Sequence, residues 1–322
     1  MRSATQGPPG ESLVAFLFVL VVVAVFLGAA ILLLRRFLGA PPRPLGRAGR
    51  ALVALAAIGI LCILYGRLVE PRWLEVTTTR VPTARLPPGH RGVRVVHLSD
   101  VHSDPTPRLE ERLPAVVASL HPDLIVFTGD AANSPAALPI FRALLGKLAR
   151  IAPTFAVKGN WDAWYFRELD RFAGTGAREL DGDHASLDVG GVTVHVAGAA
   201  FDHPELVDAA VRALPADGLA IVLYHAPFPD LVAREHASRV DLFCAGHVHG
   251  GQVALPGYGA LITFSRFGKR FERGLYPDAD GFGFPLYVSR GIGMEGGIAP
   301  RVRFESRPEV AVIEMVSEAW RR

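Results

Sequence analysis

The sequence predicts an α/β domain of layered, mixed β-sheets flanked by helices, preceded by an N-terminal transmembrane helical hairpin. Three observations point there. Two long apolar runs fill most of the first 69 residues, and the first of them, Leu13 to Leu34, carries no charge at all. From Gly92 onward, short apolar runs alternate with segments of helical periodicity in a βαβαβ order. The alternation then gives way to hairpins, such as Ala185 to Ala197 folded at Gly190-Gly191, which calls for sheets of mixed direction.

Half of the 322 residues are apolar and the formal net charge is +3. Such apolarity is high for a soluble enzyme, and a charge so small and dispersed argues against a nucleic-acid partner. Lys147, Lys158 and Lys269 are the only lysines, an arginine bias that reads as compositional. Cys62 and Cys244 stand in no zinc-like or disulfide-framework spacing, so they leave the redox compartment open.

Taken in order, the first apolar run is bounded by Glu11 and by Arg35-Arg36. Its length of about 22 residues suffices to cross the roughly 30 Å hydrocarbon core. A signal peptide is the rival, but the run exceeds the usual apolar region of about 7–15 residues and its start is not strongly basic. A link with Pro41, Pro42, Arg43, Pro44, Arg47 and Arg50 leads to the second run, Ala51 to Tyr65. That run spans if Gly66 to Val69 join it with Arg67 snorkelling to the interface; a re-entrant segment is the alternative. Residues 1–69 are thus expected to anchor the chain to the plasma membrane, with helices at about 13–34 and 51–69. The basic link belongs in the cytoplasm and everything after Val69 outside it, although Arg67, Arg72, Arg80 and Arg85 pull the other way. Residues 70–91 read as a linker: Trp73-Leu74-Glu75-Val76 near the membrane surface, then an extended stretch stiffened by Pro82, Pro87 and Pro88.

The folded domain is expected over residues 92–322. Strands are expected at Val93–Leu98, Leu124–Phe127, Thr154–Val157, Ala220–Tyr224, Val240–Phe243, Leu286–Val288 and Val310–Ile313. Helices are expected at Pro107–Leu120, with Pro114 marking a kink or a later start, and at Ala136–Ile151 and Pro229–Ala237.

Five of these strands end in residues suited to holding a metal ion. The first runs into Ser99-Asp100-Val101-His102, the second into Thr128-Gly129-Asp130, and the third into Gly159-Asn160-Trp161-Asp162. The others end in His225 and in Gly246-His247-Val248-His249-Gly250-Gly251. Each is acceptable as an ordinary turn, since Gly-Asp and Gly-Asn are common punctuation. Together they mark a site, because ligands of open α/β sheets gather at the carboxyl ends of strands, and neutral imidazole is the commonest side-chain metal ligand.

The order Asp-x-His, Gly-Asp, Gly-Asn, lone His and Gly-His-x-His resembles that of the calcineurin-like metallophosphoesterases. The resemblance covers roughly Val93 to Ile313. It is similar to a membrane-anchored bacterial branch in Trp73-Leu74-Glu75-Val76, in Gly250-Gly251-Gln252, in Ser289-Arg290-Gly291-Ile292-Gly293 and in Arg307-Pro308-Glu309. It implies a layered metallophosphoesterase fold and two divalent metal ions. Asp100, His102 and His249 would hold one ion, Asn160, His225 and His247 the other, with Asp130 bridging. Mixed nitrogen and oxygen donors suit Mn, Fe or Zn better than Ca. Asp130, Asn160, His225 and Trp161 would then stand at the reaction. The family usually has histidine where this chain has Trp161. An indole donates one hydrogen bond but releases no proton at neutral pH, so either the proton comes from elsewhere or the leaving group needs none.

The implied activity is hydrolysis of a phosphodiester or pyrophosphate bond in a lipid-linked substrate, UDP-2,3-diacylglucosamine of lipid A synthesis being the concrete candidate. That substrate is made in the cytoplasm, against the lean of the basic link. The rival class is a membrane-bound metal-binding sensor with weak or lost turnover. Of the other histidines, His97 reads as core or as a support to the site, and His90, His121 and His236 as solvated. His184, His195 and His203 lie where they could overhang the crevice, His184 and His203 being the first alternatives as proton donors. Arg266, Arg270 and Arg273 could clamp phosphate or face anionic headgroups, solvation being their ordinary role.

Overall fold

A computed structural model describes residues 8–38, 44–296 and 301–317. Helix α1 (Pro9–Leu38) and helix α2 (Arg47–Leu64) come first. The second runs on through a wider π turn, Tyr65–Val69, and a 3₁₀ turn, Glu70–Arg72. Both rods are long and apolar enough to cross a membrane, and side chains such as Phe16, Val21, Ile60 and Leu61 face outward along them. Pro41, Pro42 and Arg43 of the expected link lie outside the described residues.

Strand β1 (Glu75–Pro82) corrects the expected linker. It pairs in parallel along its whole length with the last strand, Glu75 opposite Glu309 and Pro82 opposite Val316. A lone edge strand whose partner lies at the far end of the chain leaves no local signal. There follow β2 (Val93–Leu98), α3 (Leu113–Ser119), β3 (Leu124–Phe127), α4 (Leu138–Ala149), β4 (Thr154–Ala156), α5 (Asn160–Trp164) and β5 (Arg178–Glu179). Then come β6 (Asp183–Val189), β7 (Val192–Gly198), α6 (Glu205–Ala213), β8 (Leu219–Leu223) and β9 (Leu242–Ala245). The chain closes with β10 (Ala254–Leu255), β11 (Gly259–Ala260), β12 (Gly274–Tyr276), β13 (Leu286–Val288) and β14 (Glu309–Val316).

Helix α3 starts at Leu113 rather than Pro107, with Pro114 in its first turn, where a missing N–H costs no hydrogen bond. The helix expected over 229–237 is two 3₁₀ turns, Pro229–Leu231 and Arg234–Arg239. The turn at Gly190-Gly191 is as expected, with Val189 paired to Val192 and both glycines at positive φ.

Twelve of the fourteen described strands form two six-stranded sheets, ordered β1-β14-β2-β3-β4-β5 and β12-β13-β9-β8-β7-β6, while β10 and β11 pair as a short antiparallel ribbon. Each has a parallel centre and antiparallel pairing nearer one or both edges. Their inner faces share one core, Val95, Val126 and Phe155 of the first meeting Val194, Ile221 and Leu242 of the second. Helices α3 and α4 cover the first sheet's outer face through Val117, Phe141 and Leu145. Helix α6 covers the second through Val207 and Val211, against Val222 and Phe243.

Glu309 ties the two sheets together. Buried at the start of β14, its Oε1 accepts from Thr77 of β1 (2.7 Å) and from the Tyr287 hydroxyl of β13 (2.9 Å). Its Oε2 accepts from the Arg290 backbone N–H (2.9 Å). Burial works to raise its pKa, but Arg290 and these donors outweigh burial and hold it below the usual carboxylate range. A depressed carboxylate contributes stability above its unfolded pKa and loses it as the pH falls through the folded one. Glu309→Gln is therefore expected to cost about 1.5–3 kcal/mol at neutral pH. In denaturant unfolding of the detergent-solubilised protein, the gap to the parent should close as the pH drops below the ordinary glutamate value.

Candidate metal centre

The carboxyl ends of β2, β3, β4, β8 and β9 meet at one rim of the sandwich, and the backbone there is strained. Asp100 (φ 50°), His102 (41°), Asp130 (59°), His247 (72°) and His249 (50°) all lie in the left-handed region. For residues with a Cβ this conformation costs roughly 1–2 kcal/mol each. Glycines let the loops approach one another. A Cβ on Gly159 would enter the Asp130 carboxylate, and one on Gly246 would enter Ser99 and the Asp100 carboxylate.

Three imidazoles are oriented by an oxygen behind them. His225 Nδ1–H donates to the Thr128 carbonyl (2.6 Å), His102 Nδ1–H to Asn133 Oδ1 (3.0 Å), and His247 Nε2–H to the Phe264 carbonyl (3.2 Å). Their free nitrogens turn inward, where His225 Nε2 and His247 Nδ1 each lie 2.8 Å from Asn160 Oδ1. His225 Nε2 and His102 Nε2 stand 3.3 and 3.4 Å from Asp130 Oδ2. His249 Nε2 faces Asp100 Oδ1 at 3.2 Å, with the Arg303 guanidinium against its Nδ1 (3.3 Å).

Burial alone would neutralise Asp100 and Asp130. The imidazoles of His249 and His225 outweigh it at Asp100, and those of His225 and His102 at Asp130, so both carboxyls titrate below the usual range. At His225 burial likewise works downward, but Asp130 raises the pKa to about 9. Burial and the neighbouring His225 push His247 down to about 4, and burial also lowers His249. Those two rings are neutral, the form that binds a metal, whereas an ion near His225 must displace a proton.

Asp162 fixes the Asp130 turn. It accepts from the backbone N–H groups of Asp130 (2.8 Å), Gly159 (2.9 Å) and Ala131 (3.2 Å), and pairs with buried Arg171 (2.7 Å). Behind it, His97 bonds Thr128 Oγ1 (2.8 Å), which donates to Ser99 Oγ (2.7 Å); burial lowers His97 to about 4, so this ring is the buried support the sequence suggests.

All eight expected site residues gather at this rim. A cavity of about 130 Å³ is lined by Asp130, Asn160, Trp161, Trp164, His247, His249, Phe264 and Glu295. Trp161 spends its indole N–H on Glu295 Oε1 (3.0 Å). His184, His195 and His203 do not line the cavity: His195 is buried between Ser186 and the Asp217 carbonyl, and His203 pairs with Asp181. His236 is not free but bonded to Asp208 (2.8 Å). Of the arginines expected near phosphate, Arg266 pairs with Asp230, Arg270 with Asp280, and Arg273 donates to the Glu305 carbonyl. Glu295, Arg303 and Asn133 gave no signal in the sequence; Asp162 stands in the Gly159-Asn160-Trp161-Asp162 run, but only the fold shows its hold on three backbone N–H groups.

Residues 93–251 match the family model described as calcineurin-like phosphoesterase. The chain is 30% identical over 276 residues to phosphodiesterase YaeI of Escherichia coli, which covers 78% of this chain and 92% of that one. The chain belongs to the calcineurin-like phosphoesterases. It is also 28% identical to the metallophosphoesterase YkuE of Bacillus subtilis (79% of this chain, 89% of that). To UDP-2,3-diacylglucosamine pyrophosphatase LpxG of Chlamydia trachomatis it is 24% identical (83% of this chain, 97% of that).

As a calcineurin-like phosphoesterase, the protein is a hydrolase of phosphoester bonds, and its fold implies divalent metal ions. The residues present fit such ions. His102 Nε2 is fully buried with no hydrogen-bond partner, aimed at Asp130. Two groups, Asp100-His102-His249 and Asp100-Asp130-His225, bring donor atoms within 4.8 Å of one another. Asp162→Ala tests the scaffold. It leaves Arg171 buried without its carboxylate and frees the Asp130 turn, so stability should fall by about 3–5 kcal/mol in denaturant unfolding and hydrolysis of an activated phosphodiester should be lost with it.

Proposed function

We propose that this protein is a membrane-anchored, two-metal phosphoesterase that hydrolyses a phosphodiester or pyrophosphate bond in a lipid-linked substrate. Asp100, His102 and His249 would hold one ion and Asn160, His225 and His247 the other, with Asp130 serving both. Manganese, iron or zinc suits this mix of oxygen and nitrogen. Ions there supply Lewis acidity toward the phosphoryl oxygens and an activated water. The chain's own part is to orient the imidazoles, to keep His247 and His249 neutral, and to shield the site with Trp161.

The observation that carries the lipid-linked reading is the mouth of the cavity. Trp164 and Phe264 are exposed there beside buried Trp161, and Phe264 adjoins Thr263, which bonds Glu11 at the start of apolar helix α1. An apolar entrance next to a candidate membrane helix suits a substrate delivered from a bilayer. The 1–69 anchor holds this entrance at the surface and raises the effective concentration of lipid substrates. The basic residues after α1 favour an extracytoplasmic site on the plasma membrane. A phospholipid headgroup or a nucleotide is the substrate such a location favours, the apolar mouth of the cavity pointing to the former. UDP-2,3-diacylglucosamine, named for LpxG, belongs to the opposite one.

Three tests bear on this. Asp130→Ala should abolish turnover and lose both ions by elemental analysis; two retained ions would refute the assigned ligands. A periplasmic reporter at the C-terminus should be active and a cytoplasmic one silent, and the reverse result brings the nucleotide-linked lipid forward. Trp161→His should raise turnover of alkyl phosphodiesters by about 10²–10⁴-fold, the usual worth of general-acid help, and leave pyrophosphates and nitrophenyl esters little changed. Equal gains on both classes would mean that the histidine acts by charge or position.

A further inference from the structure

The two histidines of Gly246-His247-Val248-His249 are each braced from behind, and the braces lead to different apolar helices. Behind His247 stands the Phe264 carbonyl, 3.2 Å from Nε2. The preceding residue, Thr263, is buried and gives both its backbone N–H and its hydroxyl to Glu11 Oε2, each at 3.0 Å. Glu11 is itself buried in the first turn of α1, its second oxygen packed against Gly268. A carboxylate placed there, ahead of the uncharged run Leu13 to Leu34, holds the 263–268 loop to the helix.

Behind His249 the path runs to the end of α2. Glu70 is buried and accepts from the backbone N–H groups of Glu305 (3.1 Å) and Ser306. These two acceptor contacts hold a strained turn, since Glu305 has φ 55°. The Ser306 hydroxyl donates to the His249 carbonyl, and the Ser306 carbonyl accepts from Arg303 (2.8 Å), whose guanidinium lies against His249 Nδ1. The Arg303 backbone N–H in turn donates to the Gly66 carbonyl (2.8 Å). The contact is tight, for a Cβ on Gly66 would stand 2.8 Å from the Arg303 carbonyl oxygen.

We propose that the two helices are working parts of the metal centre rather than a tether: α1 positions His247 through Glu11, and the end of α2 positions His249 through Glu70. Each helix thereby sets the affinity of a different ion. This rests on the ligand assignment proposed above, in which His247 and His249 serve separate ions. Glu11, Glu70 and Arg303 are positioning residues, and residues behind a ligand typically change metal affinity by about 10–100-fold.

The test uses the full chain in detergent or nanodiscs, loaded with manganese, with the occupancy of each position read from anomalous diffraction and total metal from elemental analysis. His247→Ala and His249→Ala come first, and each should empty its own position. If they do not, the ligand assignment fails and the division of ions between the helices falls with it, whereas success here makes the glutamate variants a test of the helices alone. Glu11→Ala should then weaken by tenfold or more the ion shared with Asn160 and His225, leaving the other unchanged. Glu70→Ala should do the reverse. Glu11→Gln, which keeps an acceptor oxygen, should restore binding. If the alanine variants do not fold, Thr263→Val and Ser306→Ala make milder cuts in the same two paths. Equal weakening of both ions, or of neither, would overturn the proposal, because a purely structural role cannot separate them.

Discussion

Two buried carboxylates converging on one imidazole constrain this structure more than any other feature. Asp100 and Asp130 are almost wholly inaccessible, and His225 Nε2 lies 3.9 Å from one and 3.3 Å from the other. A buried charge is tolerated only when compensated, and a single imidazolium does not balance two carboxylates. The left-handed backbones, the glycines without room for a Cβ, and the oriented histidines all serve to bring more positive or metal-binding groups to that point. The cost of several strained residues is offset by the packing of two sheets and three helices beneath them.

How much of this was legible depended on range. The strand ends were readable because each ligand type follows a short apolar run, and the glycines beside them carry a steric meaning that a local sequence displays. The hairpin turn at Gly190-Gly191 and the apolar helices were readable for the same reason. Strand β1 was not, since it is defined by Glu309 and its neighbours more than two hundred residues away. Glu295 was missed too: it sits in Gly293-Met294-Glu295-Gly296 with no periodicity around it, and only the fold brings it to Trp161. Helix α3 shortened because Pro114 belongs in a first turn, a choice that the apolar spacing left open.

The buried glutamates of the two apolar helices change how the N-terminal region is understood. Composition sets residues 1–69 apart and reads 70–91 as a linker, as though the apolar helices and the domain were independent. Glu11 and Glu70 instead reach Thr263 and Ser306, the residues that back the Gly-His-x-His loop. Exposed Trp164 and Phe264 stand at the mouth of the same cavity. The two apolar helices, the mouth of the cavity and the candidate ligands thus form one continuous set of contacts.

The most direct measurement of the central claim is anomalous diffraction from crystals of the full chain, collected at the edge of the metal it was purified with. Two peaks about 3.5–4 Å apart are expected, with the Asp130 carboxylate between them and His102, His225, His247 and His249 around them. A single peak, or peaks away from Asp130, would contradict the two-metal site.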